Sequence, residues 1–182
     1  MLLIAHATGF HGRAYAPFAE HLRGFRVAAP DLRGHGDATP PADLDFKWEG
    51  LADDIEAVVD HLDARGRLFA FGHSMGAAVS LLAETRRPGT FVAIYGFEPI
   101  VYPPRALHDS DRRDRFQEGT KKRRRHFASK AEAIANYSEK APFSGFTPAS
   151  LDAYLDHGFH FAADGSLTLK MDPHNEARMY SM

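Results

Sequence analysis

The residues whose chemistry stands out form a G-x-S-x-G pattern at residues 72–76, GHSMG, with Ser74 at its centre. An apolar run precedes the pattern and apolar residues at helical spacing follow it, so the stretch predicts a strand, a tight turn and a helix. Glycines at positions 72 and 76 leave room where strand and helix pass close together. The turn would lift the Ser74 hydroxyl clear of the sheet and point a helix N-terminus at it, where negative charge is favoured. The pattern predicts a nucleophilic serine; a glycine-rich turn with an incidental serine is the alternative.

A serine hydroxyl is a weak nucleophile at neutral pH and needs a base, usually an imidazole that a carboxylate orients. It also needs backbone N–H groups that stabilise the oxyanion of the intermediate. His73 lies inside the turn, where packing is the expected role. His6 and His35 lie in glycine-rich loops, where we expect them to hold the backbone by hydrogen bonds. The sequence therefore does not identify the base.

The segments around the turn predict a parallel α/β sheet. Apolar runs typical of buried strands occupy residues 2–5, 25–29, 67–71 and 91–95. Helical spacing of apolar residues covers residues 15–22, 50–64 and 75–86. Strands that alternate with helices favour a parallel sheet, and functional sites form at the carboxyl ends of its strands. On this interpretation that end of the sheet carries His6, Thr8, Ser74 and Glu98.

The character of the sequence changes after Pro103 and Pro104, where charged residues become frequent. Helical patches are predicted around residues 110–127, 129–138 and 148–157, and a hairpin over 161–170. The basic run KKRRR at residues 121–125 favours a solvated helix face over a phosphate-binding patch, because acidic residues flank it. Aromatic residues here, with Phe116 and Phe127 as candidates, suit the lining of an apolar cavity and equally an ordinary small core.

Composition narrows the class of protein. The 182 residues suffice for one domain with a core, and 44% hydrophobic with 25% charged residues is typical of soluble globular proteins. A net charge of −2 gives no reason to expect nucleic acid or an anionic membrane as partner. The absence of cysteine excludes disulfides and thiolate metal sites and is typical of a reducing compartment, so we expect a cytoplasmic location. The oligomeric state is not indicated.

Together these motifs resemble the α/β-hydrolase superfamily, in its serine esterase and lipase branch. The resemblance rests on three motifs in the family's order, HATGF at residues 6–10, DLRGHG at 31–36 and GHSMG at 72–76. It implies a parallel sheet flanked by helices over residues 1–104, a mostly helical cap over 105–170, and the start of a return to the core at 171–182. The family usually has further strands before the first motif and after the cap, so the resemblance implies a chain incomplete at both ends.

The resemblance also implies the parts of the site. The N–H groups of Met75, which follows the nucleophile, and of Thr8, in the loop after the first matched strand, would bind the oxyanion. Glu98 is the candidate acid, because it follows the strand after the nucleophile helix, a position that some members use. The alternative is a loop glutamate that is exposed or paired with an arginine; many members place the acid one strand later, and it would then be missing from this chain. The family's catalytic histidine follows the last strand, and no residue of this sequence occupies that place. No cofactor and no metal are implied.

The first hypothesis is a serine hydrolase that cleaves a carboxylic ester or similar acyl substrate through an acyl-enzyme on Ser74. Its substrate would be a small apolar ester-like molecule. The alternatives are a non-catalytic α/β-hydrolase-like module that binds a ligand in the same pocket, and an inactive fragment that lacks the catalytic histidine.

Overall fold

The computed structural model describes residues 1–43, 45–101 and 110–181. Its centre is a four-stranded sheet with the strand order β2-β1-β3-β4, and every pairing in it is parallel. The strands are β1 (Leu2–Ala5), β2 (Val27–Ala28), β3 (Leu68–His73) and β4 (Phe91–Phe97). The predicted parallel α/β sheet is therefore confirmed, with strands close to the positions that the apolar runs indicate.

Two long helices cover one face of this sheet. They are α2 (Trp48–His61) and α3 (Met75–Arg86), which pack against each other; the short helix α1 (Ala16–Ala19) follows a 3-10 turn at Gly12–Tyr15. The core between helices and sheet consists of fully buried aliphatic side chains, among them Leu3, Leu51, Ile55, Leu68 and Val79. Burial of this apolar surface is the main stabilising contribution to the domain.

The opposite face of β3 and β4 carries aromatic side chains that remain exposed. Phe18 of α1 packs on Phe71, with 4.9 Å between ring centroids, and Tyr95 stacks on Phe71 at 5.7 Å. Tyr95 and Phe97 nevertheless keep 64% and 45% of their surface accessible. Among the described residues β4 is also an edge strand of the sheet, next to these exposed aromatic side chains.

The C-terminal region, residues 110–181, is a smaller helical unit around a three-stranded antiparallel sheet of order β5-β7-β6. The predicted hairpin is present, but the predicted helical patch over 110–127 ends at Lys121 and a strand follows. The elements are α4 (Ser110–Lys121), β5 (His126–Phe127), α5 (Lys130–Ser138), α6 (Pro148–Gly158), β6 (Phe159–Phe161), β7 (Leu167–Leu169) and α7 (Pro173–Met179). The predicted boundary at residues 104 and 105 lies outside the described residues.

The basic run at residues 121–125 is held by carboxylates. Four of its side chains form ion pairs at N–O distances of 2.6 to 2.8 Å. The pairs are Lys121 with Glu118, Arg123 with Glu176, Arg124 with Glu132, and Arg125 with Asp172. Arg123 is largely buried, so the prediction of a solvated helix face is wrong for this residue. Phe127 is also buried, against Tyr137 and Phe159, and belongs to the core of the region. The surroundings of Phe116 lie outside the described side chains.

In the part of the chain that the structure describes, no helix is both long and apolar enough to cross a membrane.

Candidate active site

Ser74 occupies the sharp turn between β3 and α3 with φ 53° and ψ −112°, a conformation that residues other than glycine rarely adopt. The Ser74 N–H donates to the carbonyl oxygen of Phe97 at 2.9 Å. The Ser74 carbonyl accepts the N–H groups of Ala77 and Ala78, at 3.2 and 3.3 Å, and so begins the helix. A non-glycine residue held in a strained conformation by its surroundings is a recurring property of functional sites.

The two glycines of the motif are required by close backbone contacts. A Cβ atom at Gly72 would clash with the backbone of Ala77, so the strand and the helix could not approach as they do. A Cβ atom at Gly76 would clash with the carbonyl oxygen of Ala5 at the end of β1. Gly76 therefore brings the first turn of α3 against the loop that follows β1, where the predicted oxyanion residue Thr8 lies.

The side chains of Thr8 and Met75 are in contact. The Thr8 hydroxyl donates to the sulfur of Met75 at 3.3 Å, and Met75 is the residue that follows Ser74 in the chain. Met75 is the first residue of α3, where helical geometry leaves the N–H without an intrahelical acceptor. Among the described residues, neither the Thr8 nor the Met75 N–H has a hydrogen-bond acceptor. Backbone N–H groups without an acceptor are the kind of donor that an oxyanion needs.

His6 fixes the peptide that carries the Thr8 N–H. Its Nε2 accepts the N–H of Leu32 at 2.9 Å, so the ring proton is on Nδ1, which donates to the carbonyl oxygen of Ala7 at 2.9 Å. The Ala7 carbonyl and the Thr8 N–H belong to one planar peptide, so holding the first orients the second. His6 is fully buried, and burial lowers its pKa from 6.5 to about 4. The ring is therefore neutral at physiological pH, as this pair of bonds requires.

His35 holds the same loop one residue further on. Its Nε2 accepts the N–H of Gly9 at 3.1 Å, which places its proton on Nδ1, within 3.1 Å of the Arg33 carbonyl. Its ring meets that of His6 edge-on, with 4.7 Å between centroids. Burial lowers the pKa of His35 well below its ordinary value, and His6 lowers it further. The expectation that both histidines hold backbone by hydrogen bonds agrees with this geometry.

Tyr15 holds the loop on its other side. The Tyr15 hydroxyl accepts the N–H of Ala7 at 3.2 Å and is hydrogen-bonded to Nδ1 of His73 at 2.8 Å. The N–H groups on either side of Thr8 are thus both engaged, at Ala7 by Tyr15 and at Gly9 by His35. Sequence reasoning did not find Tyr15, because its only visible property was its place in a predicted helix.

The DLRGHG segment connects this loop to the rest of the domain. Asp31 accepts the N–H of Gly12 at 2.7 Å through one carboxylate oxygen and that of Asp37 at 2.8 Å through the other. Arg33 forms a bidentate pair with Asp54 of α2, with N–O distances of 2.7 to 3.1 Å. The segment acts as a brace between the loop after β1 and helix α2.

Glu98, the candidate acid, follows β4 at the same end of the sheet and is exposed, with φ 46°. The pKa of His73 is lowered by burial, and the Glu98 carboxylate opposes that effect. No hydrogen bond within residues 1–43, 45–101 and 110–181 joins Glu98 to a histidine or joins the Ser74 hydroxyl to one. The structure thus places Ser74 at the turn where the Thr8 hydroxyl meets the Met75 side chain, and no histidine of the described residues is hydrogen-bonded to Ser74.

Across those same described ranges, no group of three or more His, Asp and Glu side chains is arranged to hold a metal ion.

Proteins of related sequence match only part of this chain, whereas a solved structure matches all of it. The chain is 33% identical over 102 residues to Lipase LipV of Mycobacterium tuberculosis, covering 55% of this chain and 37% of that protein. It is 30% identical over 106 residues to the monoglyceride lipase of Homo sapiens, covering 56% and 35%. The matched part thus spans about a third of the length of these relatives.

The fold has solved counterparts over its whole length. The structure of E-2-(acetamidomethylene)succinate hydrolase superposes on this chain with a TM-score of 0.81 and 19% sequence identity. The superposition covers 100% of this chain and 65% of the hydrolase chain. A family model described as "Alpha/beta hydrolase family" matches residues 2–176. Since that match takes in nearly the whole chain, the protein belongs to the alpha/beta hydrolase family.

Proposed function

We propose that the protein is a serine hydrolase that cleaves a carboxylic ester or similar acyl compound through an acyl-enzyme on Ser74. The observation that carries the proposal is the strained conformation of Ser74 at the strand-to-helix turn, next to the unpaired N–H groups of Thr8 and Met75. A serine on such a turn presents its hydroxyl clear of the strand, and N–H groups of the loop after β1 and of the residue after the serine are the donors that such an oxyanion needs. Membership of the alpha/beta hydrolase family and the lipases among the relatives support the same chemistry.

In the proposed reaction the Ser74 oxygen attacks the acyl carbonyl and its proton passes to a base. The Thr8 and Met75 N–H groups hold the oxyanion, the alcohol leaves with a proton from the protonated base, and water then releases the acid. Glu98 is proposed to orient the base, because it lies at the same end of the sheet as Ser74. The proposal assigns no base among the described residues.

For the substrate we propose a small apolar ester, bound beneath the C-terminal region acting as a cap. The Phe10 ring lies 5.9 Å from that of His73 and stacks on Phe143 at 5.6 Å, so it joins the site loop to the C-terminal region. Phe146 lies 6.0 Å from Phe10 on the same side and is only partly buried. An aromatic wall beside the nucleophile favours an apolar acyl chain.

The test is hydrolysis of p-nitrophenyl butyrate by the protein and its Ser74→Ala variant. Loss of the nucleophile should lower kcat by about a thousandfold or more. Ser138→Ala, which removes an exposed hydroxyl on α5, is the matched control and should retain full turnover. Turnover by Ser74→Ala at the wild-type rate would refute the proposal.

A second function, ligand binding without catalysis, is favoured by one observation, namely that no described histidine is hydrogen-bonded to Ser74. Isothermal titration with a non-hydrolysable ester analogue separates the two functions. Binding by wild-type protein that shows no turnover would favour the binding module, whereas turnover that depends on Ser74 would exclude it.

A further inference from the structure

The loop that carries Thr8 is also held from the C-terminal region, by a tyrosine that sequence reasoning did not connect to the site. Tyr154 of α6 is 1% exposed, and its hydroxyl donates to the carbonyl oxygen of Gly9 at 3.1 Å. The same hydroxyl accepts a hydrogen bond from Nη2 of Arg123. Burial raises the pKa of Tyr154 well above its ordinary value, so the hydroxyl keeps the proton that it donates.

Arg123 is itself fixed in place. Its Nη1 pairs with Glu176 of α7 at 2.6 Å, and its Nε and Nη2 reach the hydroxyl of Tyr137 at 3.3 Å. A Cβ atom at position 9 would clash with the Glu176 carboxylate, and Gly9 has φ 76°, so only glycine fits here. The buried ion pair thus lies directly against the loop.

These contacts continue into the loop as a chain of hydrogen bonds. The Gly9 carbonyl and the Phe10 N–H belong to one peptide, and the Phe10 N–H donates to the Ala7 carbonyl at 3.1 Å. The Ala7 carbonyl shares its peptide with the Thr8 N–H. The chain therefore runs from the Arg123 guanidinium through the Tyr154 hydroxyl and two peptides to the Thr8 N–H. A donor on a carbonyl polarises the peptide and strengthens its N–H as a donor, so the effects add along the chain.

We propose that Tyr154 is a positioning residue for the oxyanion hole. Its hydroxyl, oriented and polarised by Arg123, in turn orients and polarises the peptides that lead to the Thr8 N–H. This inference rests on the proposed function, since it takes the Thr8 N–H as an oxyanion donor. It also gives the C-terminal region a role in catalysis, because α6 must be docked for the hydroxyl to reach the loop. The Tyr154 ring alone would satisfy the packing against Phe10 and Phe143, so the hydroxyl serves a separate purpose.

Tyr137 provides a matched control. Its hydroxyl accepts from the same arginine and its ring is equally buried, but it makes no hydrogen bond to the loop. We expect Tyr154→Phe to lower kcat for p-nitrophenyl butyrate about tenfold with KM unchanged, less than the hundredfold or more that loss of a whole oxyanion donor costs. Tyr137→Phe should keep kcat within about twofold, because it removes one hydrogen bond to Arg123 and leaves the chain intact. Equal kcat values for the two variants would overturn the inference.

A second readout separates this inference from the proposed function. In ¹⁵N–¹H spectra of the whole chain, Tyr154→Phe should shift the amide proton resonances of Phe10 and Thr8 upfield, whereas Tyr137→Phe should not. Shifts confined to Tyr154→Phe, in a protein without turnover, would establish the chain of hydrogen bonds and refute the hydrolase. Unshifted Phe10 and Thr8 resonances in a protein that hydrolyses the ester would refute the role of Tyr154 and leave the hydrolase standing.

Discussion

Acidification should destabilise the protein through His6, and the sign follows from its surroundings. The neutral ring accepts one hydrogen bond and donates another inside the fold, and burial lowers its pKa from 6.5 to about 4. In the unfolded chain the imidazole has its ordinary pKa and binds a proton more readily. The unfolded state therefore takes up the proton first, and the contribution of His6 to stability is lost as the pH falls from about 6.5 to about 4.

The size of the effect can be worked out from these two values. One pKa unit corresponds to about 1.4 kcal/mol, so the complete loss below pH 4 is about 3 kcal/mol. Between pH 7 and pH 5 the free energy of unfolding should fall by about 2 kcal/mol on account of His6 alone. His35 adds a loss of the same sign, but its ring lies 4.7 Å from that of His6, so protonation of one disfavours protonation of the other.

The assay is urea unfolding between pH 5 and pH 7.5, followed by the fluorescence of Trp48, the single tryptophan, which is partly buried on α2. The comparison is with His6→Gln, which cannot titrate. We expect the variant to be less stable at pH 7.5 and to lose less stability on acidification, by about 2 kcal/mol.

Parallel stability curves for the two proteins would refute the reasoning, since the other titrating histidines are common to both. If His6→Gln does not fold, the ring protons of His6 can be followed by NMR in the wild-type protein. A ring that is protonated at pH 5.5 in the folded state would refute the reasoning equally.

Two further substitutions test the packing that shapes the site. Gly76→Ala, whose Cβ would clash with the carbonyl of Ala5, should cost about 2 kcal/mol in thermal unfolding. Gly119→Ala, at an exposed position of α4 with open space around it, should be neutral or stabilising. A harmless Gly76→Ala would contradict the close contact. Arg33→Lys should cost about 1 kcal/mol in urea unfolding, because lysine cannot form the bidentate pair with Asp54, and the loss should vanish in an Asp54→Asn background. An equal loss in both backgrounds would show that the pair is not the cause.

Local pattern was sufficient to predict the sheet and the strand-to-helix turn at Ser74. The strand before Ser74 and the helix after it follow from apolar spacing, and the two motif glycines follow from sterics within a few residues. Thr8 and Met75 are in contact although they are far apart in the chain, because both follow strands that a parallel sheet aligns at one end. The roles of Glu98 and of the oxyanion donors remain predictions.

Contacts between distant segments could not be predicted in this way. Tyr15 and Tyr154 are ordinary apolar positions in helical patterns, and only the packed structure brings their hydroxyls to the loop after β1. Arg123 was assigned to a solvated face because charge patterning describes the neighbours of a residue in sequence, whereas its ion-pair partner Glu176 is 53 residues away. The strand at residues 126–127 was missed because its pairing with β7 is also long-range.

The loop after β1 explains why so many polar groups are buried at this end of the fold. Buried polar groups are unfavourable unless each finds its partner, and here they come from separate segments to satisfy a few consecutive peptides. His6 and Tyr15 hold Ala7, while His35 and Tyr154 hold Gly9. A loop needed only to connect two elements would lie at the surface with its N–H groups in water. Both neighbours of Thr8 are thus anchored while its own N–H stays unpaired. On the proposed function this arrangement would fix one oxyanion donor in advance, which is the condition under which an oxyanion hole stabilises charge without reorganisation.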